Sequence, residues 1–298
     1  LHTRCTRTRI LLYYSKKKDI NFLPEVPSRG QTSAPINKQA MAFGRGRLAE
    51  PEVIEEIIED PTGWMIDNPL AHVFLLHQFS IKFMFMLGYT FYTGTKVFKT
   101  YGDKPVSFKF VMMVLACTGG GLITPLFINS MPVIISNDSY AVTILITFSL
   151  HHYFPILRDV VDHSNILKVL TTLMYQVTRA YVVVLFTATS GAKIPASLFS
   201  FPVFGPIFCG AISGIGGMFM PLSKGLDPIK EGLDYNMITA IIAASAYHIF
   251  MSTSLSEGCI DAKDKVHIHI AMLFVAVGLV HALGYVPAPK LAPKKKED

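Results

Sequence analysis

The chain has 298 residues and a formal net charge of +6, but only 16% of its residues are charged, 51% are hydrophobic, and its mean hydropathy is +0.41. Soluble domains carry about 25% charged residues, so this balance excludes a soluble globular protein and indicates an all-α integral membrane protein. Its four cysteines, Cys5, Cys117, Cys209 and Cys259, have no paired spacing and indicate neither a zinc site nor a disulfide framework.

Residues 1–40 open the chain as a basic leader, with Arg4, Arg7, Arg9 and Lys16 to Lys18 ahead of any acidic residue and no apolar core behind them. Three readings stand: a disordered segment, a transit-like segment, or sequence upstream of Met41, the candidate initiator. Residues 41–68 follow as an acidic approach, with Glu50, Glu52, Glu55, Glu56, Glu59 and Asp60 beside the apolar Val53, Ile54, Ile57 and Ile58. This is a solvated helix face or a field that concentrates cations at one mouth.

A helix needs about 20 apolar residues to cross the roughly 30 Å hydrocarbon layer. Seven such runs are expected as spans, at 69–95, 106–130, 137–157, 166–190, 199–221, 235–255 and 267–286. The cytosolic side follows from lysine and arginine in the short connections. Lys96, Lys99, Lys104 and Lys109, then Arg158 and Lys168, then Lys224 and Lys230, then the tail 287–298 with Lys290 and Lys294 to Lys296 share one side. The tail is therefore expected in the cytosol and the N-terminus in the lumen. Lys295 and Lys296, ahead of Glu297 and Asp298, resemble a dilysine endoplasmic-reticulum retrieval signal, or form a basic tail that attracts anionic lipid.

Gly120-Gly121-Leu122-Ile123-Thr124-Pro125-Leu126 returns 96 positions later as Gly216-Gly217-Met218-Phe219-Met220-Pro221-Leu222. The same offset pairs Asp138 with Asp234, Thr143 with Thr239, His152 with His248 and Phe154 with Phe250. Three spans separate equivalent points, and an odd number turns the second copy over. The expected fold is thus an inverted 3+3 repeat, 69–161 and 165–256, plus a seventh helix at 267–286; such repeats place a solute path at their interface.

Backbone breaks in hydrocarbon are tolerated where the freed groups face protein or water. Gly119, Gly120, Gly121 and Pro125 in the second span, and Gly214, Gly216, Gly217 and Pro221 in the fifth, are expected to open both helices near mid-membrane. Carbonyls there, with the hydroxyls of Thr118 and Ser213, would replace part of a cation's hydration shell. The competing reading is close helix packing through small residues. Lys82 in the first span and Arg179 in the fourth are costly in a membrane and mark a functional position. Arg179 would bind a lipid phosphate, bias a gate, or bond broken-helix carbonyls. No histidine pair has metalloprotease spacing, and no nucleophile elbow, phosphate loop or buried carboxylate pair is present, so neither catalysis nor a metal is expected.

Cys117-Thr118-Gly119-Gly120-Gly121, Val177-Thr178-Arg179, Gly214-x-Gly216-Gly217 and Lys224-Gly225, in this order across residues 69–286, resemble the trimeric intracellular cation (TRIC) channels. The resemblance implies a homotrimer of seven-helix subunits in the endoplasmic or sarcoplasmic reticulum. Each would have its own potassium path, carry counter-current during calcium release, and need membrane lipids but no nucleic acid. It also implies a bound phosphoinositide, held in the family by a lysine and an arginine four apart. Arg179 matches the arginine, but Tyr175 occupies the lysine position, which shifts the expected cation to Lys168. The resemblance implies no other cofactor. A secondary transporter and a non-conducting scaffold are the alternatives.

Overall fold

The structure, a computed structural model, describes residues 60–230 and 232–285. The expectations for the basic leader, the glutamates at 50–59 and the basic tail lie outside the described residues. Those described belong to the unit Ile58–Asp298 and are helical, with no strand among them.

The chain enters through α1 (Trp64–Asp67) and α2 (Pro69–Leu75). Asn68 starts α2, its side-chain oxygen accepting from the Leu70 amide at 2.9 Å, and Pro69 fills the first position, where no amide is needed. The helix stops at Leu76 in a left-handed conformation, and α3 (Phe79–Thr100) leaves at 56° to α2. Next come α4 (Val106–Phe127), the short α5 (Val133–Ser136) and α6 (Asp138–Tyr153). Asn137 caps α6 through Ser139 N at 3.1 Å. Pro155 then turns the chain 95° into α7 (Ile156–His163).

Ser164 caps α8 (Asn165–Lys193), whose 29 residues span roughly 43 Å at 1.5 Å each. α9 (Phe204–Ile215) runs only 12 residues before passing into a 3₁₀ turn at Gly216–Phe219. Two further 3₁₀ turns lead to Asp234, whose carboxylate caps α10 (Tyr235–Ser252), and α11 (Ala262–Ala282) closes the described chain.

α8 is the hub, packed against α3, α9, α10 and α11. One core lies among α8 to α11, where Ala180, Ala211, Ala240, Ala243, Ala244 and Ala271 let backbones approach closely. The other lies among α3, α4 and α6 around Met86, Phe98, Met113, Cys117 and Ile144. Several buried threonines fit this apolar setting because the hydroxyl donates to its own helix, as that of Thr90 does to Met86 O at 2.9 Å and that of Thr187 to Val183 O at 2.7 Å.

The intervals expected as spans hold the helices α3, α4, α6, α8, α9, α10 and α11, of which α9 has only 12 residues. α4, α8 and α11 are long and apolar enough to cross a membrane by themselves, and the bent pairs α2–α3 and α6–α7 pass when each is taken as one span. With the composition, these helices make the chain a multi-pass membrane protein. Three details depart from expectation. The first span begins as a separate helix, the 137–157 run divides at Pro155 so that α7 leaves the helix axis, and the fifth span is a short helix with a 3₁₀ end. Hydropathy counts apolar residues without registering a change of direction, and Pro155 and Gly216 redirect the backbone within apolar sequence.

Candidate functional site

α4 and α9 cross where both carry glycines. A Cβ on Gly119 would stand 2.7 Å from the Gly217 backbone, one on Gly120 would meet the Ser213 carbonyl, one on Gly216 the Gly120 backbone, and one on Gly217 the Ala116 carbonyl. Gly214 is closed by the Val183 side chain, whereas Gly121 meets only the Val133 side chain, at 3.2 Å. Missing side chains therefore let two backbones touch. α4 stays helical through Gly119–Gly121, contrary to the expectation that both helices open there; only α9 breaks, into the turn after Ile215. The glycines of α4 serve contact, since helical geometry occupies the carbonyls of Gly119 and Gly120, while Pro125, which has no amide, leaves that of Gly121 without its helical donor.

Pro125 lies buried in the last turn of α4, and Pro221 follows the 3₁₀ turn. Neighbouring Thr124 donates across to Cys209 O at 3.2 Å, a second tie between α4 and α9. The Thr118 hydroxyl donates to Val114 O at 2.7 Å and the Ser213 hydroxyl to Gly210 O at 2.6 Å. Both protons are engaged, so each oxygen can offer only lone pairs to a third group.

Beside this crossing is a cavity of about 480 Å³ between α3, α4, α8 and α9. Of the residues expected at the site, Thr118, Gly120, Gly121, Arg179, Ser213, Gly214 and Gly217 line it. Gly119 and Gly216 take part in the crossing without lining the cavity, and Pro125 and Pro221 do not line it either. Lys82 lies elsewhere: its ammonium donates to the Tyr181 hydroxyl at 3.0 Å and lines a separate cavity of about 70 Å³. Lys168, in the first turn of α8, lines neither cavity. Val133, Tyr140, Val182 and Phe186 are shared by both cavity walls and form an apolar collar between them.

Arg179 is 2% exposed and held on several sides. Nε donates to Gly214 O at 3.0 Å, Nη1 to Gln176 Oε1 at 2.9 Å, and Nη2 to Thr239 Oγ1 at 3.0 Å and to the Asn236 carbonyl; the guanidinium also lies 4.4 Å from the Phe274 ring centre. It thus ties α8 to the last turns of α9 and the first turn of α10, next to the helix break.

Several residues that sequence reasoning did not single out complete the cavity. Tyr175 stacks on Tyr89 at 5.3 Å and lies 4.4 Å from Tyr92, while the Lys96 ammonium stands 4.5 Å from the Tyr92 ring centre and 5.8 Å from that of Tyr175. Lys96 enters Sequence analysis only as a loop charge, although it lies within α3 and lines the cavity. A signal was present: Lys82 and Arg179, Gly94 and Gly191, Lys96 and Lys193, and His151 and His248 are all 97 apart. The two glycines of one pair face the two histidines of another, Gly94 facing His151 and Gly191 facing His248. The offset of 96 set by the glycine motif hides this register.

No protein-family model matches the chain, and no curated protein matches its sequence. Solved structures do match. One is a trimeric intracellular cation channel from C. elegans in the absence of Ca2+, at 13% identity and a TM-score of 0.56, covering 70% of this chain and 92% of that one. Another is a structure of TRIC counter-ion channels active in calcium release, at 13% identity and a TM-score of 0.57, covering 72% and 98%. At such identity the likeness establishes the fold: this chain is built as those channels are.

Proposed function

We propose that the chain is a subunit of a potassium-permeable channel, a homotrimer in an intracellular membrane with its C-terminus in the cytosol, giving counter-ion current during calcium release. The observation that carries this reading is the cavity at the glycine crossing, set within the fold of channels whose structures it matches. In this reading seven helices form two inverted sets of three, α3–α4–α6 and α8–α9–α10, with α11 appended. The 97-residue pairs and the contacts of α3 with α8 and of α4 with α9 support that arrangement.

The cavity serves as a cytosolic vestibule, and the collar of Val133, Tyr140, Val182 and Phe186 separates it from the smaller cavity around Lys82. An apolar constriction of this kind closes a path to ions by excluding water. Four of the five N–H groups of Arg179 are engaged with protein, so it orders the broken helix, and Lys96 over Tyr175 supplies the cation that an anionic phosphoinositide headgroup would meet there. Potassium efflux from proteoliposomes tests the reading. Phe186→Ala should raise the flux severalfold over the wild type while chloride flux stays at background. Equal flux from both proteins and from empty vesicles would overturn the channel assignment.

A further inference from the structure

α7 is a short amphipathic helix at 95° to α6. If α6 crosses the bilayer, α7 lies in its surface plane. Ile156 is 71% exposed, and Leu157, Val160, Tyr153, Phe154 and Ile166 are exposed too, an apolar strip continuous with the exposed Leu145 and Ile146 of α6. No segment among the described residues covers it. An apolar strip running from a spanning helix onto a perpendicular one fits the boundary between acyl chains and headgroups.

Toward the protein, the same helix sends Arg158 onto Phe98. Its guanidinium carbon stands 5.2 Å from the Phe98 ring centre, and the Lys109 ammonium of α4 stands 5.4 Å from the same ring. Three carboxylates belong to this end. Asp162 is paired with Lys99 at 2.5 Å, Asp103 is paired with Lys104 at 3.3 Å, and Asp159 is exposed on α7. Arg158 and Lys109 are in none of the ion pairs among the described residues. The Lys109 ammonium uses one donor on Gly102 O at 3.2 Å, and Arg158 Nε is buried with no hydrogen-bond partner. Two cations outside any of these ion pairs and held by one ring, beside a helix suited to the headgroup layer, form a receptor for a phosphate.

We propose that Arg158 and Lys109 bind the phosphate of an anionic phospholipid whose acyl chains lie along Tyr153, Ile156 and Val160. This site is separate from the cavity at Arg179, and it does not depend on the chain conducting ions. Arg158 supplies the planar donors and Lys109 the point charge.

Native mass spectrometry of the full chain in detergent, titrated with phosphatidic acid or with phosphatidylcholine of the same acyl chains, tests the proposal. The wild type should retain phosphatidic acid in preference. The Lys109→Gln/Arg158→Gln variant should bind it roughly tenfold more weakly. Lys263→Gln, which removes an exposed cation from the first turn of α11, should bind as the wild type does. Because Arg158 also packs on Phe98, Lys109→Gln serves alone if the double variant does not fold, with a loss of roughly threefold. Retention by the double variant, or by Lys109→Gln where that stands in, within about twofold of the wild type would overturn the site. Displacement of the lipid by millimolar inorganic phosphate would overturn the lipid as its ligand.

Discussion

Arg179 holds several carbonyl and hydroxyl acceptors around the break after α9 with one side chain. Arg179→Ala would leave Gly214 O, Asn236 O and Gln176 Oε1 without their donor inside an apolar setting. The expected cost is about 2–3 kcal/mol, read as a lowered melting temperature in detergent, with altered channel opening if the break forms part of the gate. Arg179→Lys should recover little, since an ammonium cannot reproduce the guanidinium fork. A melting temperature unchanged in both variants would remove its organising role. The sequence marked Arg179 as special because a charge inside an apolar run has no bland explanation; its partners Asn236 and Thr239 are polar residues of ordinary type and carried no such mark. Lys265 behaves similarly at the start of α11. It is buried and donates to Asp60 at 2.5 Å and to the Thr62 hydroxyl at 2.6 Å, tying the entry segment to the last helix. The Lys265 hydrogen bond first, then the Thr62 hydroxyl and amide, hold the Asp60 carboxyl below its ordinary 3.8, at about 2. A depressed carboxyl contributes stability above its unfolded value and loses it as pH falls through its folded value. The difference in melting temperature between wild type and Asp60→Asn should therefore be constant above about pH 4 and vanish toward pH 2; a difference independent of pH over that range would exclude the ion pair.

The α4 glycines, read from sequence as a helix break, form a contact between elements within an unbroken helix, which changes what substitution there does. Gly120→Ala forces a methyl onto the Ser213 carbonyl, and backbone cannot yield as a side chain can, so α4 and α9 must separate. Overpacking of this kind costs about 1–3 kcal/mol. Gly121→Ala meets only the Val133 side chain and should fall well below that. Melting curves that rank Gly121→Ala as the more damaging would contradict the crossing. The long elements were legible because apolar runs of spanning length have few other uses. α7 and the α2–α3 bend were not, because Pro155 and Leu76 change direction without changing hydropathy. The glycine signature itself is ambiguous, since an opened helix and a close crossing both require small residues, and only the path of the backbone separates them.

For the whole molecule, the all-helical membrane class and the likeness to cation channels could be read from the chain, whereas the cavity could not. It depends on Tyr89, Tyr175 and Lys96 meeting across α3 and α8, residues far apart in sequence whose types suit many other roles. If the cavity, the collar and the glycine crossing form one ion path, the purified full chain in planar bilayers under a potassium chloride gradient should show discrete openings whose current reverses near the potassium potential, with Phe186→Ala opening more often than the wild type. A reversal near the chloride potential, or silent bilayers in which insertion of the protein has been demonstrated, would contradict it.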